Sequence, residues 1–252
     1  MPAPIALQLY TIRHELERDF AGAVERIAEM GFVGVEPAGF PGTTAEKAAA
    51  LFQRLGLEVP SAHVPLPLGE AADQIIEEVK ILGAPRLVSG LSEADFATKA
   101  AVRESARKFN AAFEKVQKHG LSFGIHNHWA EFLSVGNKLA FDILLENLAP
   151  EVFFEIDTYW AQTAGVDPAQ IVAQLGARAP LLHIKDGPCQ RGVPMRPVGE
   201  GEVDFHAIVR AGGSATQWMI VEIDETDMDM MTAVQKSYTY LIQEGLARGR
   251  KN

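Results

Sequence analysis

Val152-Phe153-Phe154-Glu155-Ile156-Asp157 is a short run of β-branched and aromatic residues closed by a carboxylate, and the same construction recurs along the chain. Upstream of it lie Ile5–Tyr10, Phe32–Glu36, Val59–Val64, Arg86–Ser89 and Leu121–His128; downstream lie Leu181–Lys185 and Trp218–Ile223. These eight runs stand roughly thirty residues apart, the length of one strand-plus-helix unit. The intervening segments carry helical periodicity. Leu16, Phe20, Val24, Ile27 and Met30 step by three or four before Gly31, a residue suited to ending a helix. Val102, Ala106, Phe109, Phe113 and Val116 repeat the spacing before Gly120, and Met231, Val234, Tyr238 and Leu241 form a last apolar face. Strands alternating with amphipathic helices predict a parallel sheet with right-handed crossovers. An open dinucleotide-binding sheet would place Gly-x-Gly-x-x-Gly after its first strand, where this chain reads Leu9-Tyr10-Thr11-Ile12-Arg13. The expectation is therefore an α/β fold, a closed (β/α)8 barrel spanning residues 1–252 as one domain, with residues 248–252 a frayed polar tail.

Composition narrows the function classes. The chain has 252 residues, and its 23 Lys+Arg against 33 Asp+Glu give a net charge of −10. That balance disfavours nucleic-acid binding, which needs a basic face. The single cysteine, Cys189, excludes an intrachain disulfide framework and a cysteine zinc site. Neither a signal peptide nor an apolar run long enough for a membrane helix is legible, so a cytoplasmic protein with no membrane partner is expected.

In a (β/α)8 barrel the chemistry sits at the C-terminal strand ends, so the residues closing each run become the candidates. They are Gln8 with Tyr10, Glu36, His63, Ser89, His126 with His128, Glu155 with Asp157, His183 with Lys185, and Glu222 with Asp224. Alternation along a strand puts the members of each pair on one face. His126, Asp157, His183 and Glu222 come from four neighbouring strands. Their two imidazoles and two carboxylates suit Mn²⁺, Co²⁺, Fe²⁺, Zn²⁺ or Mg²⁺. Each residue alone also reads as a hydrogen-bonded structural group, and Glu155 and Asp186 as salt-bridge partners of Lys185 or nearby arginines. The signal lies in the set.

Two loops add to it. His126-Asn127-His128-Trp129-Ala130-Glu131-Phe132 is dense in polar and aromatic residues. Trp129 and Trp160 fit either a core or a surface that stacks on sugar rings. The segment from Asp186 to Glu202 is long for a βα connection and contains Arg196, a candidate clamp for a hydroxyl-rich or anionic substrate. A solvated loop is the alternative reading, and a helix is expected near Val203–Val209.

The sequence resembles the xylose-isomerase-like TIM barrel superfamily, in particular the sugar phosphate isomerases/epimerases. The resemblance runs nearly end to end. It rests on Gln8-Leu9-Tyr10-Thr11-Ile12-Arg13, Gly34-Val35-Glu36, Ala62-His63-Val64, Ile125-His126-Asn127-His128, Glu155-Ile156-Asp157-Thr158-Tyr159-Trp160, His183-Ile184-Lys185-Asp186, Val198-Gly199-Glu200-Gly201 and Val221-Glu222. It implies a divalent metal at the barrel mouth, with Asp157, His183 and Glu222 matching the ligands of the sixth, seventh and eighth strands. His126 stands where characterised ketose epimerases and isomerases carry a glutamate, so their two-glutamate acid/base pair does not transfer intact. His-x-His on this strand is similar to the pattern of inosose-dehydratase-like members. Glu131 is a candidate replacement for the missing carboxylate, and His128 an alternative ligand or base.

The expected function is a metal-dependent sugar or keto-sugar isomerase or epimerase of carbohydrate metabolism, working through a metal-stabilised enediolate. A keto-sugar or inosose-type dehydratase is the alternative, and a non-catalytic sugar-binding barrel a further one. An abasic-site nuclease, suggested by fold kinship alone, is opposed by the acidic charge. Candidate catalytic residues are Glu222, His126, His128, His63 and Lys185. Candidate substrate contacts are Tyr10, Glu36, Trp129, Trp160 and Arg196. Candidate metal ligands are His126, Asp157, His183, Glu222 and Glu131. The expected partner is a small sugar or polyol, with assembly into a homo-oligomer left open. No phosphate-cradling glycine loop is evident after the seventh or eighth strand.

Overall fold

A computed structural model describes residues 1–250. Eight parallel strands form the barrel wall: β1 (Ala3–Gln8), β2 (Gly34–Glu36), β3 (Ala62–His63), β4 (Arg86–Ser89), β5 (Ser122–His126), β6 (Phe153–Asp157), β7 (Leu181–Ile184) and β8 (Trp218–Val221). Pairing runs from β2 through β1, β8, β7, β6, β5 and β4 to β3. The seam between β2 and β3 is made by a lone bridge, Gly34 to Glu58, with Val35 N donating to Glu58 O (2.9 Å) and His63 N to Pro37 O (2.9 Å). The barrel is thus nearly closed, as the eight-run pattern predicted.

The outer layer is α1 (Phe20–Met30), α2 (Ala45–Leu55), α3 (Ala72–Ile81), α4 (Lys99–Val116), α5 (Ala140–Asn147), α6 (Pro168–Leu175), α7 (Phe205–Gly212) and α8 (Met230–Gln243). Their starts follow from side-chain caps. Thr98 accepts from Ala101 N, Asp204 from Ala207 N and Asp229 from Thr232 N, each relieving an amide with no partner in the first turn. Capping also explains one departure from the periodicity reading. The face from Leu16 to Met30 is not one helix, because Asp19 leaves helical geometry and caps α1 through Gly22 N at 3.0 Å. The stripe is shared by α1 and a short helix, Arg13–Arg18.

Two short pairings have no counterpart in the hydrophobic pattern. Ser134–Val135 and Lys138–Leu139 form a small antiparallel hairpin after β5. At the C-terminus, Ala247–Arg248 pairs with Ala3 and Pro4 of β1, and Arg250 N donates to Gly31 O at 2.9 Å. The frayed-tail expectation is therefore corrected as far as Arg250, since backbone hydrogen bonds tie a polar segment that lacks apolar anchors. Residues 251–252 lie outside the described residues. Among the described residues no helix is long and apolar enough to cross a membrane.

The long connection after β7 is stapled by one carboxylate. Asp186 is buried, and its two oxygens accept from the amides of Gly187 (2.8 Å), Gly199 (2.8 Å), Gly201 (3.0 Å) and Val203 (3.2 Å). Asp186 therefore spends its charge on backbone amides rather than in a salt bridge with Lys185. Glycine is required at 201, because a Cβ there would overlap both Asp186 Oδ1 and the Gly187 amide. Gly201→Ala is expected to lower stability by about 1–3 kcal/mol, read as a drop in chemical-denaturation midpoint. An unchanged midpoint would show that the staple is dispensable.

Candidate metal centre and substrate pocket

The C-terminal ends of β5 to β8 converge as the strand-end reading requires. Ligand atoms of His126, Asp157, His183 and Glu222 all lie within 4.8 Å of one another, on side chains at most 8 % exposed. Local structure fixes each group. Asp157 closes β6 and caps the helix Thr158–Thr163, its Oδ1 accepting from Trp160 N at 2.8 Å, which leaves Oδ2 for the centre. Asn127 stitches β5 to β6, accepting from Asp157 N (3.0 Å) and donating to Asp157 O (3.2 Å). His183 is held from both sides: Nδ1 meets Glu222 Oε2 at 2.8 Å, and Nε2 lies 3.0 Å from both Glu36 Oε1 and Glu155 Oε2.

This arrangement has the chemistry of a cation site. Asp157 Oδ2, His126 Nδ1 and both Glu155 oxygens are buried without a well-aligned hydrogen bond. Buried polar atoms rarely stay unpaired; a divalent ion amid the two nitrogens and two carboxylates of the cluster would engage Asp157 Oδ2, while His126 Nδ1 and Glu155 Oε2 face each other at 3.3 Å. In the protein alone, Lys185 answers much of the negative charge. Its Nζ reaches Asp157 Oδ2 (3.1 Å), Glu222 Oε2 (2.8 Å) and Asp224 Oδ2 (2.9 Å) while itself being 1 % exposed.

The electrostatics follow from burial set against these contacts. Burial opposes charge on Lys185, yet Asp157, Glu222 and Asp224 hold its pKa well above the usual value. Burial likewise opposes charge on His183, and Glu155, Glu222 and Glu36 override it upward. Glu222 is driven below the ordinary carboxylate range; burial resists, and Lys185 and His183 prevail. Burial raises Asp157 to about 6 despite Lys185. His126 and His128 move the other way, because burial and cationic neighbours disfavour their charged forms; His128 falls to about 4.

A cavity of about 520 Å³ opens above the cluster. Tyr10, His63, His126, His128, Trp129 and Trp160 line it, along with Lys185 and Glu222. The two indoles meet edge to face at 5.0 Å, and Lys185 Nζ lies 5.7 Å from the Trp160 ring. Tyr10 does not share a strand face with Gln8: it lies in the 3₁₀ turn Leu9–Ile12, 45 % exposed, with the Arg13 guanidinium 4.3 Å from its ring centre.

Three candidates fall elsewhere. Glu36 is wholly buried and does not line the cavity; its carboxylate is bonded by Gln8, Ser61 and His183. Arg196 lines a separate depression beside Thr226 and donates to Glu200 O at 3.4 Å; its backbone pairs with Asp186, which carries the side chain away from the mouth. Glu131 is outside the clustered donor groups, its Oε2 accepting from His128 N at 3.0 Å.

Two strand-end carboxylates outside the metal and catalytic candidates also reach the cluster. Glu155, two residues before Asp157 on the same strand face, approaches His126 Nδ1 at 3.3 Å and His183 Nε2 at 3.0 Å; the alternation rule marks it as inward-facing. Asp224 follows Glu222 by the same step. Arg13, the last residue of the Gln8–Arg13 segment, and Met195, which nothing local marks, also line the cavity.

Burial pushes Glu131 up to about 8 from a normal 4.5, which sets a pH dependence. The unfolded chain ionises this carboxyl above roughly pH 4.5 while the folded chain keeps it protonated, so its contribution destabilises the fold as pH rises from there to about 8. Glu131→Gln removes that titration. The variant should melt close to wild type at pH 5 and several degrees above it at pH 8. A constant difference across this window would show that Glu131 does not titrate as described.

No curated protein matches the sequence. Solved structures do. A sugar phosphate isomerase/epimerase from Parabacteroides distasonis aligns at 24 % identity and TM-score 0.82, over 98 % of this chain and 96 % of that one. The probable 3-DHS dehydratase AsbF from Bacillus anthracis aligns at 16 % identity and TM-score 0.75, over 95 % and 98 %. The IOLI protein with a bound zinc atom aligns at 13 % and 0.72, over 96 % and 97 %. At these identities the likeness is one of fold. A family model described as the xylose isomerase-like TIM barrel matches residues 24–243. Most of the barrel falls within that match, and the chain belongs to the xylose isomerase-like TIM barrel family.

Proposed function

We propose that the protein is a divalent-metal-dependent isomerase or epimerase of a sugar or keto-sugar. The observation that carries the reading is the convergence of His126, Asp157, His183 and Glu222 at the floor of a cavity walled by Trp129 and Trp160. The zinc-bearing IOLI fold and the isomerase/epimerase among the similar structures agree with it. His126, Asp157, His183 and Glu222 would hold the ion, which when bound polarises a carbonyl and stabilises charge developing on it.

The chain's own groups divide the remaining work. The indoles of Trp129 and Trp160, set edge to face, give an apolar corner against which the C–H face of a sugar can pack, while Lys185 and Glu222 face its hydroxyls. His128, kept neutral by burial, stands in the wall as a proton acceptor for the carbon beside the carbonyl. Lys185, kept charged by its carboxylates, lines the same cavity and is assigned as the donor. Glu222 is already neutralised by His183 and Lys185, so it serves better as a ligand than as the base.

A second reading, a keto-sugar dehydratase, is favoured by one feature. The fifth strand supplies imidazoles, and Glu131, protonated and bonded to the His128 amide, does not replace the second carboxylate that epimerases use. The same proton removal would then be followed by loss of a β-hydroxyl. Incubation with a keto-sugar panel in D₂O and Mn²⁺ separates the readings. Deuterium on the carbon next to the carbonyl with an isomeric product supports the isomerase; an enone or diketone chromophore supports the lyase. Neither exchange nor elimination, in a protein purified without metal, would leave only the non-catalytic sugar-binding barrel.

A further inference from the structure

We infer that the substrate is a neutral sugar conjugate whose apolar aglycone, aryl or alkyl, occupies a second compartment beside the polar pocket. This deepens the sugar-handling reading above and rests on it. A cavity of about 490 Å³ lies on the far side of His63 and His128, and these two residues with Ala38 line both compartments. The two spaces therefore meet at an imidazole partition rather than being separated by the core. Beyond it the walls turn apolar: Phe40 from the loop after β2, Val64 after β3, Ile75 on α3 and Leu91 after β4. The charged residue among its lining is Glu78, which accepts from Gln74 Nε2 at 2.9 Å. No cation lines this compartment among the described residues.

The cations of the polar pocket are also committed. Lys185 is held by three carboxylates, and the Arg13 guanidinium donates to the carbonyls of Tyr10 (3.0 Å) and Asp224 (2.9 Å). Glu222, Asp224 and Glu225 line the same space. A phosphate would meet carboxylates and occupied cations in one compartment and hydrocarbon in the other. A hydroxylated head with an uncharged apolar substituent finds a matching surface in each, and the shared imidazoles place the junction between the two parts beside the proposed proton acceptor. Because one molecule spans both compartments, the occupant of the apolar space is the rest of the substrate rather than a peptide or a second copy of the chain.

The test is isothermal titration of the Mn²⁺-loaded and metal-free protein with matched pairs: methyl and phenyl β-D-glucopyranoside, galactopyranoside and xylopyranoside. Burying the phenyl ring is expected to tighten binding about 10- to 50-fold over the methyl partner. Leu91→Trp fills the apolar compartment and should reduce that ratio to near one. Equal affinities within each pair of the wild-type protein overturn the aglycone compartment and leave the polar-site reading intact. So does an unchanged ratio in Leu91→Trp, or tighter binding of glucose 6-phosphate than of the methyl glucoside. Failure of every glycoside to bind while the free ketoses fructose and xylulose do bind overturns this inference alone; failure of the glycosides and the ketoses alike, with or without Mn²⁺, overturns the polar-site reading and this inference with it.

Discussion

A Lys185→Met variant without metal should melt about 10 °C below the wild-type protein, and Mn²⁺ should recover much of that loss. The side chain is of similar length and apolar, so packing is largely kept and charge is what changes. In the wild type one buried ammonium compensates Asp157, Glu222 and Asp224 at 2.8 to 3.1 Å. Removing one partner from a buried charge group costs about 3–5 kcal/mol, because the remaining charges stay desolvated and unpaired, and at this chain length each kcal/mol moves Tm by roughly 2–4 °C. Protonation provides partial relief. Asp157 already titrates at about 6, so the penalty should shrink at pH 5.5 and grow at pH 8. A divalent cation replaces the missing positive charge, so added Mn²⁺ should raise the variant's Tm more than the wild type's. Equal melting of the two proteins in EDTA at pH 8 would show that Lys185 does not neutralise the cluster, and equal Mn²⁺ shifts would show that the cation does not bind beside it.

That expectation depends on a layer of the site that sequence disclosed unevenly. The barrel and its floor were legible because both follow from short-range rules. Period-two runs ending in ionisable residues mark inward-facing strand ends, and residues on adjacent strands of a closed wall must meet. Thus His126, Asp157, His183 and Glu222 converge without any two of them sharing a recognisable spacing. The supporting groups were legible only in part. Glu155 obeys the same alternation as Asp157, but a carboxylate beside a lysine-bearing strand reads equally as an ion-pair partner. Its actual neighbours, His126 and His183, lie on other strands.

Glu36 and Arg196 show the opposite failure. A glutamate at a strand end reads as a substrate contact, yet hydrogen bonds from Gln8, Ser61 and His183 draw its carboxylate below the cavity floor. Nothing local to β2 encodes that depth. Arg196 sits in a loop whose path is set by Asp186, and four backbone amides gathered by one carboxylate turn the arginine outward. Loop direction of this kind depends on a long-range pairing that composition does not carry. The tail behaves similarly: its polar sequence predicts fraying, whereas Arg248 pairs with Pro4 of β1 and Arg250 N donates to Gly31 O.

Distinguishing a ligand from a proton acceptor is the sharper use of the site, and His128 and Glu222 allow it. Glu222→Gln keeps an oxygen that can accept from Lys185, so folding should survive, but it removes an anionic donor from the cluster. Metal content after dialysis should fall, and exchange of the proton beside the substrate carbonyl should fall with it. His128 differs. It stands outside the group of four and lines both compartments. His128→Gln should therefore leave metal stoichiometry near the wild-type value while slowing deuterium exchange by about 10²- to 10⁴-fold, the range for loss of a positioned acid or base. The Michaelis constant should move much less than kcat, because the imidazole is assigned to the reacting proton rather than to hydroxyl binding. If His128→Gln instead lost its metal, the imidazole would be a ligand, and His126 would be left as the fifth-strand acceptor. If both kcat and metal content were unaffected, neither role would hold for His128, and the partition between the two compartments would be purely structural.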